Sequence, residues 1–200
     1  MASPQPPRPP GAGPAKLALR DQLTTARNRL ALTEIGLFAR ALAGHLLAAP
    51  EVHRAATVAA YVSTGVEPGT TWLLEGLARS GTRVLLPVLL DDGDLDWAVH
   101  AGDAGLAPAR YGLREPTGPR LGVDAVATAD AVLVPGLAVS SSGLRLGRGG
   151  GSYDRALGRV PVGTFTCVVL YDGETDRPVP AETHDRSVTA AVTPSGLRRF

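Results

Sequence analysis

AVLVPGLAV at residues 131–139, followed by GLRLGRGGGSYDR at residues 143–155, decides how the rest of the chain is read. The first stretch is a continuous apolar run of strand length, the pattern of a strand buried on both faces. The second is rich in glycine and arginine and runs into a helical pattern from Tyr153 to about Arg159. A buried strand, a glycine loop and a helix in that order predict a parallel α/β unit. In such units ligands bind beyond the carboxyl ends of the strands, where this loop should lie.

Working outward, the same apolar grammar recurs. TVAAYVS (57–63), RVLLPVL (83–89), Phe165 to Tyr171 and SVTAAVT (187–193) read as buried strands, and LDWAVH (95–100) alternates like a half-exposed one. Helical spacing of Leu19, Leu23 and Leu30 begins near Ala15. Thr33 and Glu34 read as the N-cap and first-turn acid of a second helix that Pro50 stops, and a third helix spans about 71–80. Residues 102–124, with many Gly and Pro, read as loop, and residues 1–14 as a disordered Pro-rich tail. The fold class is α/β, a mainly parallel sheet covered by helices on both faces, with 15–200 forming one domain.

Composition narrows the function. With 44% apolar residues the chain can bury a core, and a net charge of +1 gives no bulk attraction to nucleic acid or an anionic membrane, so any anion site is local. No run of about 18 apolar residues offers a membrane span, and the N-terminus lacks the basic-then-apolar order of a signal peptide. These features point to a cytoplasmic protein. Cys167, the single cysteine, sits in an apolar run and reads as a small buried hydrophobe. Lys16 is the only lysine among 20 basic residues. It is either a compositional survivor or a residue needed for its compact, rotatable ammonium. Arg20 shares its helical face, and two like charges there hint at an anion between them.

The loop carries the chemistry. Gly147, Gly149, Gly150 and Gly151 let the backbone pass through positive φ and bring N–H groups close to an anion. Ser152 can cap the helix that follows, whose N-terminus also favours phosphate. Arg145 and Arg148 can grip phosphate oxygens. Asp154 repels a phosphate unless a cation intervenes, and Mg²⁺ would resolve that conflict. A Walker A loop needs a Lys that is absent here, and GxGxxG fails because Ser152 stands where its third Gly belongs. The bland alternative is a flexible surface turn. His184-Asp185 reads, unaided, as a loop with a capping Asp, and Asp91, Asp92, Asp94 and Asp96 as a solvated hairpin without EF-hand spacing. Glu67 lies in a Gly/Pro loop after a strand, where it would face a ligand.

Collinear with this loop are Lys16-x3-Arg20, Tyr61-x-Ser63 with Glu67, Pro87, Gly112-x2-Glu115-Pro116, VPGLA, RLGRGGG-x-YDR, Pro180, His184-Asp185 and a terminal VTP. In these the chain resembles the 5-formyltetrahydrofolate cyclo-ligase (methenyltetrahydrofolate synthetase) family from Lys16 nearly to its end. The resemblance implies a three-layer Rossmann-like fold and ATP- and Mg²⁺-dependent conversion of 5-formyltetrahydrofolate to 5,10-methenyltetrahydrofolate. ATP phosphorylates the formyl oxygen, N10 closes the ring, and phosphate leaves. It further implies that Lys16, Arg20, Arg145, Leu146, Gly147, Arg148, Gly149, Gly150, Gly151, Ser152 and Tyr153 bind ATP. Lys16, Arg145, Arg148 and Tyr153 would serve catalysis. Val62, Glu67, Tyr111, Arg148 and Tyr153 would meet the folate, and Asp154 and Asp185 would hold Mg²⁺. A monomer acting on these small molecules is expected, with neither nucleic acid nor membrane as partner.

The chain departs from the family pattern at Val139-Ser140, where an apolar residue and Asp are common, so that a loop-bracing carboxylate is missing. Ser152 replaces an aromatic, and Glu174 stands where many members carry Gln. Two other readings stay open: a catalytically weak folate- or nucleotide-binding relative with a regulatory role, and an unrelated phosphate-binding enzyme on a similar sheet. The second leaves Lys16, Arg20 and Asp185 without a shared purpose.

Overall fold

The computed structural model describes residues 13–183 and 185–200; residues 1–12, which hold most of the expected tail, and His184 lie outside the described residues. In chain order the elements are α1 (Pro14–Arg27), α2 (Leu32–Ala48), α3 (Pro50–His53), β1 (Thr57–Ala59), α4 (Thr71–Arg79), β2 (Arg83–Leu89), β3 (Leu95–Val99), β4 (Leu106–Pro108), β5 (Arg114–Pro116), β6 (Ala131–Pro135), β7 (Ala138–Val139), β8 (Arg145–Leu146), α5 (Ser152–Arg159), β9 (Phe165–Val169), β10 (Ala190–Thr193) and β11 (Gly196–Arg199). Seven strands form one sheet in the order β11-β10-β9-β6-β1-β2-β3. The five inner strands are parallel, and the edges β3 and β11 run antiparallel to their neighbours.

Why the apolar runs make this sheet follows from the two-residue period of strands. Val58, Val84, Leu86, Ala131, Leu133, Cys167 and Val192 point to one face, where they meet Leu42, Leu46, Leu73 and Leu77 of α2 and α4. Their alternates Ala59, Leu85, Val132, Val134, Val168 and Ala191 point to the other, against Ala156 and Leu157 of α5 and the 3-10 turn around Val126. Both faces are therefore covered, giving the expected α/β layering. Cys167 is fully buried, and burial pushes its thiol pKa up, as for a packing residue rather than a nucleophile.

Several boundaries differ from expectation. Helix α1 starts at Pro14, inside the expected tail, because Pro suits the first helical turn. Thr33 is not the N-cap of α2. The cap is Ala31, whose N–H donates to the Glu34 carboxylate at 2.9 Å. The apolar run 131–139 breaks at Gly136: a Cβ there would stand 2.5 Å from Val168, so the chain leaves the sheet and returns as the β7–β8 ribbon. Residues 102–124 are not all loop, since β4 and β5 pair as a short hairpin. The Asp91–Asp96 turn is a hairpin, but Asp94 is not solvated. Its carboxylate is buried and takes both guanidinium nitrogens of Arg159, at 2.9 and 2.5 Å.

Chain order fixes the ligand crevice. From β1 the chain passes through α4 to β2 and β3 on one side. It then crosses back to β6 on the other side of β1 and continues outward to β9 and β10. The loops after β1 and β6 diverge, opening a crevice at the carboxyl edge, the switch point of an open α/β sheet.

The Asp94–Arg159 pair pins α5, and thus the end of the glycine loop, to the β2–β3 turn. Arg159 holds the Asp94 carboxyl below its ordinary value, against the opposing effect of burial. A lowered carboxyl pKa adds stability above the unfolded-state value and loses it as pH falls through the folded one. Asp94→Asn should therefore cost about 1–3 kcal/mol in urea unfolding at pH 7, with a smaller cost at acid pH.

Candidate active site

The glycine loop hangs between β8 and α5, above the carboxyl ends of β1 and β6. Of its four glycines only Gly149 and Gly151 adopt positive φ, at 104° and 70°, and Gly147 and Gly150 do not. Gly151 is the left-handed N-cap of α5. Ser152 is its first helical residue and makes no capping bond, so the expected serine cap is replaced by glycine geometry. The amides of Gly149, Gly150 and Gly151 have no hydrogen bond among the described residues. With the α5 N-terminus they present a concavity of unpaired donors, the kind of surface that suits an anion.

Underneath runs α1. Leu19 and Leu23 pack on Leu137, Ala138 and Leu146 of the ribbon, so Leu146 is a core side chain and only its backbone faces the loop. Arg20 donates through Nε to the Gly147 carbonyl at 2.9 Å, and its guanidinium carbon lies 3.3 Å from where a Cβ of Gly149 would stand. Lys16 and Arg20 do share a face, and the anions beside them belong to the protein. The Lys16 ammonium sits 2.6 Å from Glu182 and 2.7 Å from Asp185. Burial opposes that charge, yet the bonds to Asp185 and Glu182 outweigh it and raise the Lys16 pKa. Asp185 also accepts the Glu182 N–H at 2.8 Å, the capping role read from sequence. The fields of Glu182, Asp185 and Asp154 converge on Arg20, whose own pKa burial lowers.

Arg145 and Arg148 divide the work expected of both. The Arg145 guanidinium is buried below the loop, donating to the Pro135 carbonyl and to Asp154 Oδ1, each at 3.1 Å; its Nε is buried without a partner. It stiffens the loop and backs Asp154. Arg148 reaches solvent and crosses the crevice to Glu67 Oε1 at 3.2 Å. The other Glu67 oxygen accepts the Thr64 N–H at 2.8 Å and the Thr64 hydroxyl at 3.2 Å. This loop is closed in turn by reciprocal bonds between Ser63 and Thr70. Val62 packs against the core at its root.

Tyr153 lies between both core clusters, with the Arg145 guanidinium 5.9 Å from its ring centroid. Burial, joined by the Glu67 charge, pushes its pKa up, so the phenol stays a donor. Tyr111 is the outlier among the expected residues. It sits half-exposed at φ 58° in the β4–β5 loop, which Glu115 and Arg110 tie to Leu89 at the end of β2. No hydrogen bond, ion pair or ring contact links it to the other candidates among the described residues.

Two of the departures from the family pattern, Ser140 and Glu174, have structural partners of their own. Ser140 accepts the Leu144 N–H at 3.0 Å and shares a 2.9 Å bond with Ser142, so a hydroxyl braces the turn where a carboxylate was missed. Glu174 is clamped by Arg27 of α1 through two 2.7 Å bonds, and Arg27 also donates to the Gly136 carbonyl at 2.7 Å. Arg27, Glu182 and Tyr171 were not singled out by sequence. Arg27 lies one turn beyond Leu23, on the face that α1 buries together with Lys16.

Fold and site together define an α/β protein of the switch-point type, with a basic glycine loop linked by Arg148 to Glu67 on a strand-end loop. The family model of the 5-formyltetrahydrofolate cyclo-ligases matches residues 12–194. A 5-formyltetrahydrofolate cyclo-ligase of Mycolicibacterium smegmatis is 43% identical over 143 residues, 69% of this chain and 73% of that protein. That of Escherichia coli K12 is 34% identical over 161 residues, covering 76% and 86%. The Aquifex aeolicus 5,10-methenyltetrahydrofolate synthetase superposes with a TM-score of 0.79 at 27% identity, covering 92% of both chains. The Mycoplasma pneumoniae synthetase, at TM-score 0.71 and 19% identity over 88% and 96%, shares the fold. The chain belongs to the 5-formyltetrahydrofolate cyclo-ligase family.

Removing Arg27 alone would strand a buried carboxylate. Arg27→Met should cost about 3–5 kcal/mol in urea unfolding, and adding Glu174→Leu should recover a large part of that loss.

Proposed function

We propose that the chain converts 5-formyltetrahydrofolate to 5,10-methenyltetrahydrofolate at the expense of ATP. The observation that carries this reading is the Arg148–Glu67 bridge, which joins an anion-binding loop to a carboxylate across one crevice. A phosphate group suits the open amides of Gly149 to Gly151, and a pterin edge with its amino and ring N–H groups suits Glu67. The two ligands then meet where Arg148 stands.

The chemistry asks for such a meeting. A formamide oxygen is a poor leaving group, and transfer of the terminal phosphoryl group makes it a good one. N10 attacks the formyl carbon, and phosphate departs with that oxygen. Positioning and charge neutralisation supply most of the catalysis. Arg20 and Arg148 supply positive charge on either side of the loop, Lys16 ties Glu182 and Asp185 to α1, and Tyr153 offers a protonated hydroxyl.

Mg²⁺ fits this donor set. It commonly takes one or two carboxylates plus phosphate oxygens and water, and Asp154 has one oxygen, Oδ2, without a partner among the described residues. Asp154 would hold the ion, with Asp185 shared between it and Lys16; the ion would neutralise charge on the transferred group. No cluster of three acidic, His or Cys ligands occurs among the described residues, so a tightly held resident metal is not part of this reading.

Incubation with 5-formyltetrahydrofolate, ATP and Mg²⁺ should give the methenyl chromophore, and no ATP-dependent product from folded protein would refute the proposal. Lys16→Ala and Asp154→Ala should each lower kcat/KM for ATP by roughly tenfold or more, the scale of a lost charged contact.

A further inference from the structure

A groove of about 380 Å³ opens between α2 and α4, lined by Thr33, Gly36, Leu37, Arg40 and Trp72. Its walls are unusual for a surface. Leu37 is 65% exposed and Trp72 41%. The Arg40 guanidinium lies over the Trp72 indole, 4.6 Å from its centroid, and makes no ion pair or hydrogen bond among the described residues. Glu34, the acid nearest in sequence on α2, is turned back to the Ala31 N–H, and Glu75, a turn beyond Trp72, forms no ion pair with Arg40. The groove thus offers an aromatic face, an aliphatic wall and an uncompensated cation.

Its position ties it to the crevice. Trp72 is the second residue of α4, five residues after Glu67, and Ala39 of α2 lies 2.9 Å from where a Cβ of Gly69 would stand. Phe38, next along α2, packs on Tyr171 with ring centroids 5.8 Å apart. Tyr171 follows β9, and Arg27 stacks 5.3 Å from its centroid. The groove is therefore the outer rim of the same carboxyl edge, on the Glu67 side.

We infer that this groove is the subsite for the p-aminobenzoyl-glutamate tail of the folate substrate, with the benzoyl ring against Trp72 and Leu37 and glutamate carboxylates on Arg40. The inference rests on the cyclo-ligase reading for the identity of the substrate. Charge complementarity selects this occupant. An apolar partner would bury the Arg40 guanidinium unpaired, whereas an anionic aromatic ligand satisfies both halves of the pair.

The test uses 4-aminobenzoyl-triglutamate as probe, titrated against the full chain and followed by indole fluorescence. Trp72 is exposed and Trp97 is buried, so quenching reports on the groove. Two variants decide the outcome. Arg40→Glu reverses the cation. Gly36→Glu fills the groove with an acid at a helical position where an added Cβ meets nothing within 4 Å, and it raises helix propensity, so the fold survives. We expect wild-type quenching, with affinity about tenfold weaker in each variant. KM for 5-formyltetrahydrofolate should rise similarly while kcat stays unchanged, as for contacts made equally in ground and transition states. No quenching, equal affinity in folded variants, or a dimer that Gly36→Glu dissolves would overturn the assignment. Absence of methenyl product in the wild type would refute the cyclo-ligase reading separately, because the tail titration does not depend on turnover.

Discussion

Arg27 and Glu174 meet below the crevice with both side chains almost fully buried, and much of the site hangs from that contact. The guanidinium uses one edge on the carboxylate and another nitrogen on the Gly136 carbonyl, so one side chain of α1 fixes the loops leaving β6 and β9. Glu174 then accepts the Tyr171 N–H, and its own carbonyl takes the Val139 N–H of the ribbon. A buried ion pair is weak evidence for net stability, because desolvation offsets most of the attraction. Its worth here is geometric: planar, bidentate and without an apolar substitute that could hold three backbones in register.

The charges around the glycine loop follow the same logic of division. One arginine, Arg145, is sunk beneath the loop and spent on Pro135 and Asp154; another, Arg148, is left outside to bridge to Glu67. Lys16, the chain's single lysine, lies between two carboxylates, where a compact ammonium can serve both. A planar arginine fork would need more room there. The site is thus neutralised internally, which agrees with a chain whose net charge is only +1.

How much of this was legible in the sequence varies by the physics involved. Buried parallel strands announce themselves as continuous apolar runs, and β2 was read to the residue. The break at Gly136 was hidden, because it depends on Val168, thirty-odd positions away, leaving no room for a side chain. The β4–β5 hairpin has three-residue strands among Gly and Pro, too short for any period to emerge. Among site residues, glycine spacing marked the loop, but not which glycines turn through positive φ. Arg27 was passed over, since nothing local to it reveals an acid 147 positions on. Glu67 was legible from its place in a strand-end loop, whereas Asp185 read as a capping loop residue until the family resemblance gave it a role.

Helix α1 is fastened by side chains at both ends, and every acidic partner lies in the last 30 residues: Glu174 for Arg27, Glu182 and Asp185 for Lys16. Closing such contacts spans almost the whole chain, the costliest kind of loop to close early in folding. During synthesis α1 is made before all of these partners, so the acids that pair Lys16 and Arg27 emerge only after β9. The contacts that fasten α1 beside the crevice are accordingly among the longest-range closures in the domain. Loss of the chain from Glu174 onward would remove these acidic partners of α1 while sparing the sequence of β1, β2, β3, β6 and β9.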